Sequence, residues 1–419
     1  MRIKATLIGL LIFAFLILVS SAYGQLHNNH WYFGNQQAID FSSGKPTVLN
    51  NSQMLSIEAS ASFSDPLTGE LLLYTNGQQI WNRNHEPMQN GSGLWGHQSA
   101  TQGTIICPQP GSSNLLYVFH IDRNGFAQNH NGSLNYSVVD MNLDNGLGAV
   151  IDGQKNIELM KESTEKVSVV RHENGCGLWV IGHVRNSKEF RAHLWTDLGI
   201  SDTVISLVGS VHDADTTTAT IGEMAVSGNG EKLALLVHQK NIIELFDFDR
   251  ASGKVSNPLK LEGQFHDYGI AFSPNGKLLY VSNFAEKSHL RQYNISGWNQ
   301  VQADTTMIVL GTCESDELKF GGLQMGPDGI LYMKRSTAEE FPDSLAAILF
   351  PNKVGLDCGF VRNYLYLQLN HGAHAYGPEL NFSNLMNTDD LPFESDCFRT
   401  GSTEGRKQDE TTANRRKQR

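Results

Sequence analysis

The sequence predicts an all-β fold, a seven-bladed β-propeller. Three observations lead there: a hairpin phrase recurs along the chain, glycine is abundant while charge is sparse, and no long amphipathic helix follows residue 24. The phrase is a short apolar strand, a polar turn containing Gly, and a second apolar strand. Its clearest copy is Ile270-Ala271-Phe272-Ser273-Pro274-Asn275-Gly276-Lys277-Leu278-Leu279-Tyr280-Val281. Met224 to Leu235 and Leu323 to Met333 follow it closely, and weaker copies begin at Ala61, Thr104 and Val169. Asn-Gly and Asp-Gly supply the positive φ that a hairpin turn needs, and the flanking Val, Ile, Leu, Phe and Tyr suit strands buried on both faces. The six copies start near residues 61, 104, 169, 224, 270 and 323. An interval of about 45 to 65 residues holds four antiparallel strands and their loops, which is one blade.

Outer strands lie between these anchors, as in Ile242 to Phe248, His289 to Asn294 and Ser133 to Asp140. Two further strands, Trp31-Tyr32-Phe33 and Ala38 to Phe41, precede the first anchor. They are expected to pair with strands from the C-terminal segment and close the ring, which removes exposed sheet edges. Six anchored blades and one shared blade make seven. A six-bladed ring is the next reading, and a β-sandwich pair the third.

The chain divides into residues 1–24, a propeller over 25–395 and a tail over 396–419. Arg2 and Lys4 precede an apolar run from Ala5 to Val19 and the small residues up to Gly24, the order of a secretory signal. An uncleaved membrane anchor is the alternative. Removing Arg2 and Lys4 takes the formal charge from −11 to −13, and setting aside Arg399 to Arg419, with seven basic and three acidic residues, leaves −17 on the body. Such a body repels phosphate backbones, so no nucleic-acid partner is expected. The tail reads as a disordered basic end. Five cysteines (Cys107, Cys176, Cys313, Cys358, Cys397) match no zinc spacing, and Cys313–Cys358 is the first choice for a disulfide.

The segments Asn29-His30-Trp31-Tyr32-Phe33-Gly34, Asp40-Phe41-Ser42-Ser43-Gly44 and Leu73-Tyr74-Thr75-Asn76-Gly77 with Ile80-Trp81-Asn82-Arg83-Asn84-His85 are specific enough to compare. So are Ser99-Ala100-Thr101-Gln102, Trp179 to His183 and Phe190 to Leu194. Together they resemble the N-terminal propeller region of Bacteroidetes secreted surface proteins, which carry PKD domains and a gliding-motility-associated C-terminal region. The resemblance spans most of residues 28–370. It implies export and a non-catalytic surface or adhesive role. No PKD-like or sorting domain is recognised after the propeller, so the product is expected at the cell surface, in the periplasm or released.

Motif chemistry points the same way. The chain has no GxSxG elbow, no HExxH and no EF-hand loop. His27–His30 and His371–His374 are paired histidines without a third ligand, and His212-Asp213-Ala214-Asp215 reads as a polar loop. No metal or cofactor is expected. The binding candidates are the residues just before each anchor, which a propeller gathers at one mouth of its channel: Glu58, Gln102, Glu165, Glu223, Tyr268 and His266. Converging carboxylates can bind a cation or raise one another's pKa. The function expected is a binding or display module for an extracellular or periplasmic protein or glycan. The alternative is a lactonase-like propeller hydrolase or lyase using the funnel carboxylates. Two aromatic loops, Trp81 to His85 and Gly93 to His97, are further contact candidates, although Trp81 is expected to pack between blades.

Overall fold

The computed structural model describes residues 26–122, 132–212, 221–264, 266–313, 318–337, 344–367 and 381–386. The recurrent phrase forms its hairpin through one repeated turn. In the clearest copy Gly276 takes φ +66, its N–H donates to the Ser273 carbonyl at 2.8 Å, and the Ser273 hydroxyl contacts the Asn275 side chain at 2.8 Å. Ser227, Asn229 and Gly230 repeat this, with Gly230 at φ +74. Only the glycine is left-handed. Asn229 and Asn275 act through their side-chain oxygens, so the connection is a β-turn followed by a left-handed glycine, not a two-residue turn with two positive φ angles.

A three-stranded sheet, β1 (His30–Phe33), β2 (Gln37–Asp40) and β3 (Thr47–Leu49), comes first. A nine-stranded sheet follows. It contains β4 (Ala61–Ser64), β5 (Leu71–Thr75), β6 (Gln79–Asn82), β7 (Pro87–Ser92), β8 (Thr104–Pro108), β9 (Leu115–Ile121), β10 (Leu134–Asp140), β11 (Ala149–Val150) and β12 (Ile157–Met160). Four four-stranded antiparallel sheets complete the fold. They are β13 (Ser163–Arg171), β14 (Leu178–Val184), β15 (Glu189–Thr196) and β16 (Gly199–Leu207); then β17 (Met224–Val226), β18 (Lys232–Val237), β19 (Ile242–Asp249) and β20 (Lys254–Glu262). Next come β21 (Asp267–Phe272), β22 (Leu278–Asn283), β23 (Ser288–Asn294) and β24 (Ile308–Cys313); then β25 (Leu318–Met325), β26 (Leu331–Thr337), β27 (Ser344–Ile348) and β28 (Phe360–Tyr366). Each of the six anchors therefore forms the first hairpin of a unit.

The first strands touch one another in the order β1, β4, β8, β13, β17, β21, β25, which is a β-propeller arrangement about one axis. Five sheets have four strands or more, where seven separate blades were expected. The difference has a local cause. A parallel bridge between β7 and β11, at Gln89 opposite Ala149, joins two units into one continuous sheet, and the N-terminal sheet has only three strands.

The core lies between successive sheets. Trp179 on β14 covers Gly253 of the following unit, where a Cβ would sit 2.6 Å from the indole, and its N–H donates to the Arg250 carbonyl at 2.8 Å. At the seam between the first two sheets, Tyr32 stacks on Tyr74 at 4.3 Å and Tyr74 on Trp81 at 5.3 Å. Trp81 thus packs between units, as the sequence suggested.

Ring closure takes a different form from the expected strand pairing. Among the described residues no ladder joins β1–β3 to a C-terminal strand. Packing connects them instead. Trp31 meets Tyr332 at 5.6 Å and Phe382 at 5.5 Å, and Lys334 donates to the Gln37 side chain at 2.6 Å. Residues 381–386 lie along the inner strands, with the Asn384 N–H on the Ser60 carbonyl at 2.7 Å and the Ser383 hydroxyl on the Tyr32 carbonyl at 2.7 Å.

The Cys313–Cys358 disulfide is also corrected. Both are buried free thiols in one apolar cluster, and Cys358 hydrogen-bonds the Tyr280 hydroxyl instead; Cys107 is a buried free thiol as well, whereas Cys176 is disulfide-bonded. The signal segment, the basic tail, Cys397, His371–His374 and Asp213–Asp215 lie outside the described residues. No helix among the described residues is long and apolar enough to cross a membrane.

Candidate functional site in the channel

The channel carboxylates hold units together. Glu58, just before β4, accepts from the Ser99 hydroxyl at 2.8 Å and from the Tyr268 hydroxyl at 2.7 Å. Tyr268 belongs to β21, whose unit is not adjacent to that of β4, so this bond crosses the channel. Glu165 on β13 accepts from the Thr101 N–H at 3.0 Å and its hydroxyl at 3.2 Å. Gln102 imitates a strand partner: its carbonyl accepts from the Met224 N–H at 2.8 Å and its amide donates to the Met224 carbonyl at 3.0 Å.

Glu223, before β17, accepts from the Ile270 N–H at 2.8 Å and the Leu323 N–H at 3.4 Å, reaching two further units. It also hydrogen-bonds the side chain of Asn381, which donates to the Thr101 carbonyl at 2.6 Å. The packing there is close. A Cβ on Gly322 would collide with the Asn381 carboxamide oxygen and lie 2.5 Å from Glu223 Oε1, so glycine is required for the approach itself. Gln102, Glu223 and residues 381–386 also line a cavity of about 270 Å³.

Burial governs the protonation states. It pushes the Glu223 carboxyl up to about 8, against the hydrogen bonds from Ile270, Leu323 and Asn381. At neutral pH Glu223 is therefore mostly protonated, which suits its apolar setting and the amide beside it. Tyr268 is driven far above the ordinary phenol range by burial and then by the charges of Glu58, Glu223 and Glu165. Of the three predicted carboxylates, Glu58 bonds this hydroxyl directly, and Glu223 and Glu165 act on it through their charge.

Lys166 is the neighbour of Glu165 on β13, in the irregular stretch between Ser163 and Val167. It is buried, donates to the Ile221 carbonyl at 3.1 Å, and is pushed down to about 7 by burial. Its charge helps to keep His183, His212 and His238 neutral. His183 and His212 stack at 3.7 Å.

Glu58, Gln102, Glu165, Glu223 and Tyr268 are brought together as the sequence suggested. His266 is not among them. Its Nδ1 lies 2.8 Å from His238 Nε2, and it opens onto a separate cleft with Lys319 and Phe284. Sequence reasoning missed Thr101, Ser99, Lys166 and Asn381. The first two stand in the quoted Ser99 to Gln102 segment, whereas Asn381 belongs to no hairpin phrase and carried no signal. Among the described residues no group of three or more His, Cys, Asp or Glu side chains is placed to hold a metal.

No family model matches the chain, and no curated protein matches it. The solved structures similar to it include propellers at low identity. A periplasmic gluconolactonase of Pseudomonas aeruginosa is 9% identical, with 87% of this chain and 98% of that one covered and a TM-score of 0.42. The β-propeller domain of Cps50 (Swd1) from Myceliophteria thermophila is 11% identical, with 74% of this chain and 93% of that one covered and a TM-score of 0.41.

Proposed function

We propose that this chain is an exported, seven-unit β-propeller that acts as a non-catalytic binding or display module. Its partner is an extracellular or periplasmic protein or glycan, in keeping with the resemblance to Bacteroidetes surface proteins. The count of seven takes the N-terminal sheet as one unit and the nine-stranded sheet as two. The observation that supports the reading is the state of Glu58, Glu165 and Glu223. Each is more than nine-tenths buried and bonded to another unit, so the acids that the hydrolase reading requires already serve as ties across the ring.

One observation favours the second reading, a lactonase-like hydrolase or lyase. Glu223 lines the cavity of about 270 Å³ with its pKa raised to about 8, the state of a general acid. A single experiment separates the two. The parent protein and the Glu58→Gln/Glu165→Gln/Glu223→Gln variant are assayed on a lactone panel, and the parent is also probed on a glycan array. The binding reading expects array signal and no turnover. Turnover by the parent that a folded triple variant loses would establish the hydrolase.

A further inference from the structure

An open cleft of about 880 Å³ lies away from the channel ties, at the seam of three units. It is bordered by His238 after β18, His266 before β21, Phe284 and Lys287 in the β22–β23 turn, His289 on β23 and Lys319 on β25. Among the described residues that line it, two lysines and three histidines accompany one carboxylate, Glu286, in a chain whose formal charge is −11. Among these described groups the lysines outnumber the carboxylate, the reverse of the balance in the whole chain.

The geometry of the cationic groups is specific. Lys319 Nζ sits over the Phe284 ring at 4.9 Å, and among the described residues no carboxylate pairs with it. His238 Nδ1 lies 3.0 Å from the Asp267 backbone carbonyl, which can only accept, so Nδ1 carries the proton. Neutral His238 therefore offers a lone pair at Nε2, and His266 Nδ1 must donate into it. This fixes the His266 tautomer and ring direction. The His266 backbone is left-handed at φ +64, an unusual state for a non-glycine residue, held by its N–H on the His238 carbonyl at 3.2 Å and its carbonyl on the Phe284 N–H at 2.8 Å. Such strain is typical of positions whose side chain must point one way.

We propose that this cleft binds a small organic anion, through a phosphate or carboxylate group held by Lys319 and His266 above the Phe284 ring. Size follows from charge. A body of net −17 repels a polyanion, whereas a small mono- or dianion feels mainly the groups within about 8 Å, the screening length at physiological salt. Protonation of His266 adds a cation at its second ring nitrogen. Burial and Lys319 both hold His266 below 6.5, and among the described residues His238, Lys287, Glu286, His289 and the Arg291-paired Asp267 are the other charged or titratable groups around it. Affinity therefore rises as pH falls. The proposal deepens the reading of the chain as a binding module.

Calorimetric titration of the full chain with inorganic phosphate, glucuronate and neutral glucose, at constant ionic strength, tests it. Saturable binding of at least one anion and none of glucose is expected, with glucuronate binding tighter at pH 5.5 than at pH 8. Lys319→Met and His266→Gln, each checked for an unchanged thermal melt, should weaken binding about tenfold or more, as loss of a charge-assisted hydrogen bond implies. Phosphate binding without glucuronate marks phosphate as the recognised group, and the converse marks a carboxylate. No saturable anion binding at pH 5.5, or binding that both folded variants retain, overturns the proposal. Loss of anion binding beside a positive glycan array sinks the cleft but not the module. Lactone turnover sinks the non-catalytic reading while the cleft can still bind.

Discussion

Replacing Glu223 by Gln should change the pH dependence of stability more than the stability itself. The folded carboxyl keeps its proton to about pH 8, whereas the unfolded one loses it near its ordinary value of 4.5. Between those values the native state binds more protons than the unfolded chain, so stability falls as pH rises through the window. About three and a half pH units at about 1.4 kcal/mol each give at most about 5 kcal/mol lost between pH 4.5 and a pH well above 8. The substituted carboxamide would keep an oxygen for the Ile270 and Leu323 N–H groups and, like the protonated acid, carry no charge. Urea unfolding of both proteins at pH 5 and pH 9 is the assay. The two should be alike within about 1 kcal/mol at pH 5, the size of one neutral hydrogen bond, and the variant should be several kcal/mol more stable at pH 9. A difference between the proteins that stays the same at both pH values would show that Glu223 is ionised in the folded state, and the account of the channel would be wrong.

Three further outcomes follow from the same contacts. Tyr268→Phe leaves Glu58 without its cross-channel donor and should cost about 1–3 kcal/mol in urea unfolding; an unchanged midpoint would deny the tie. His27, His120, His183 and His238 are held near 4, 3, 3 and 4 by burial, so the stability they contribute is present above pH 6.5 and lost as pH falls towards 4. Measured in the Glu223→Gln background, the urea midpoint should therefore drop from pH 7 to pH 5. Cys107, Cys313 and Cys358 are buried thiols, and mass mapping should find them alkylated only after unfolding; rapid labelling in native buffer would contradict the packing.

What the sequence determined by itself is local. A Ser-x-Asn-Gly turn closes the hairpin in two copies and other polar turns close it in four, each with bonds no longer than the turn, and six hairpins at nearly regular spacing cannot each bury two apolar faces alone. Stacking around an axis follows from that, as does the gathering of Glu58, Glu165, Glu223 and Tyr268 near it. What only the tertiary structure decided is which of those groups meet. Glu58 finds Tyr268 across 210 residues and Asn381 finds Thr101 across 280, separations at which no pattern in the chain carries the partner's address. The same holds for the bridge that merges two units, for His266 turning towards His238 rather than the channel, and for Cys358 meeting Tyr280 instead of Cys313. These depend on how far each unit rotates and how closely its backbone approaches the next, as at Gly322, and packing between units sets both.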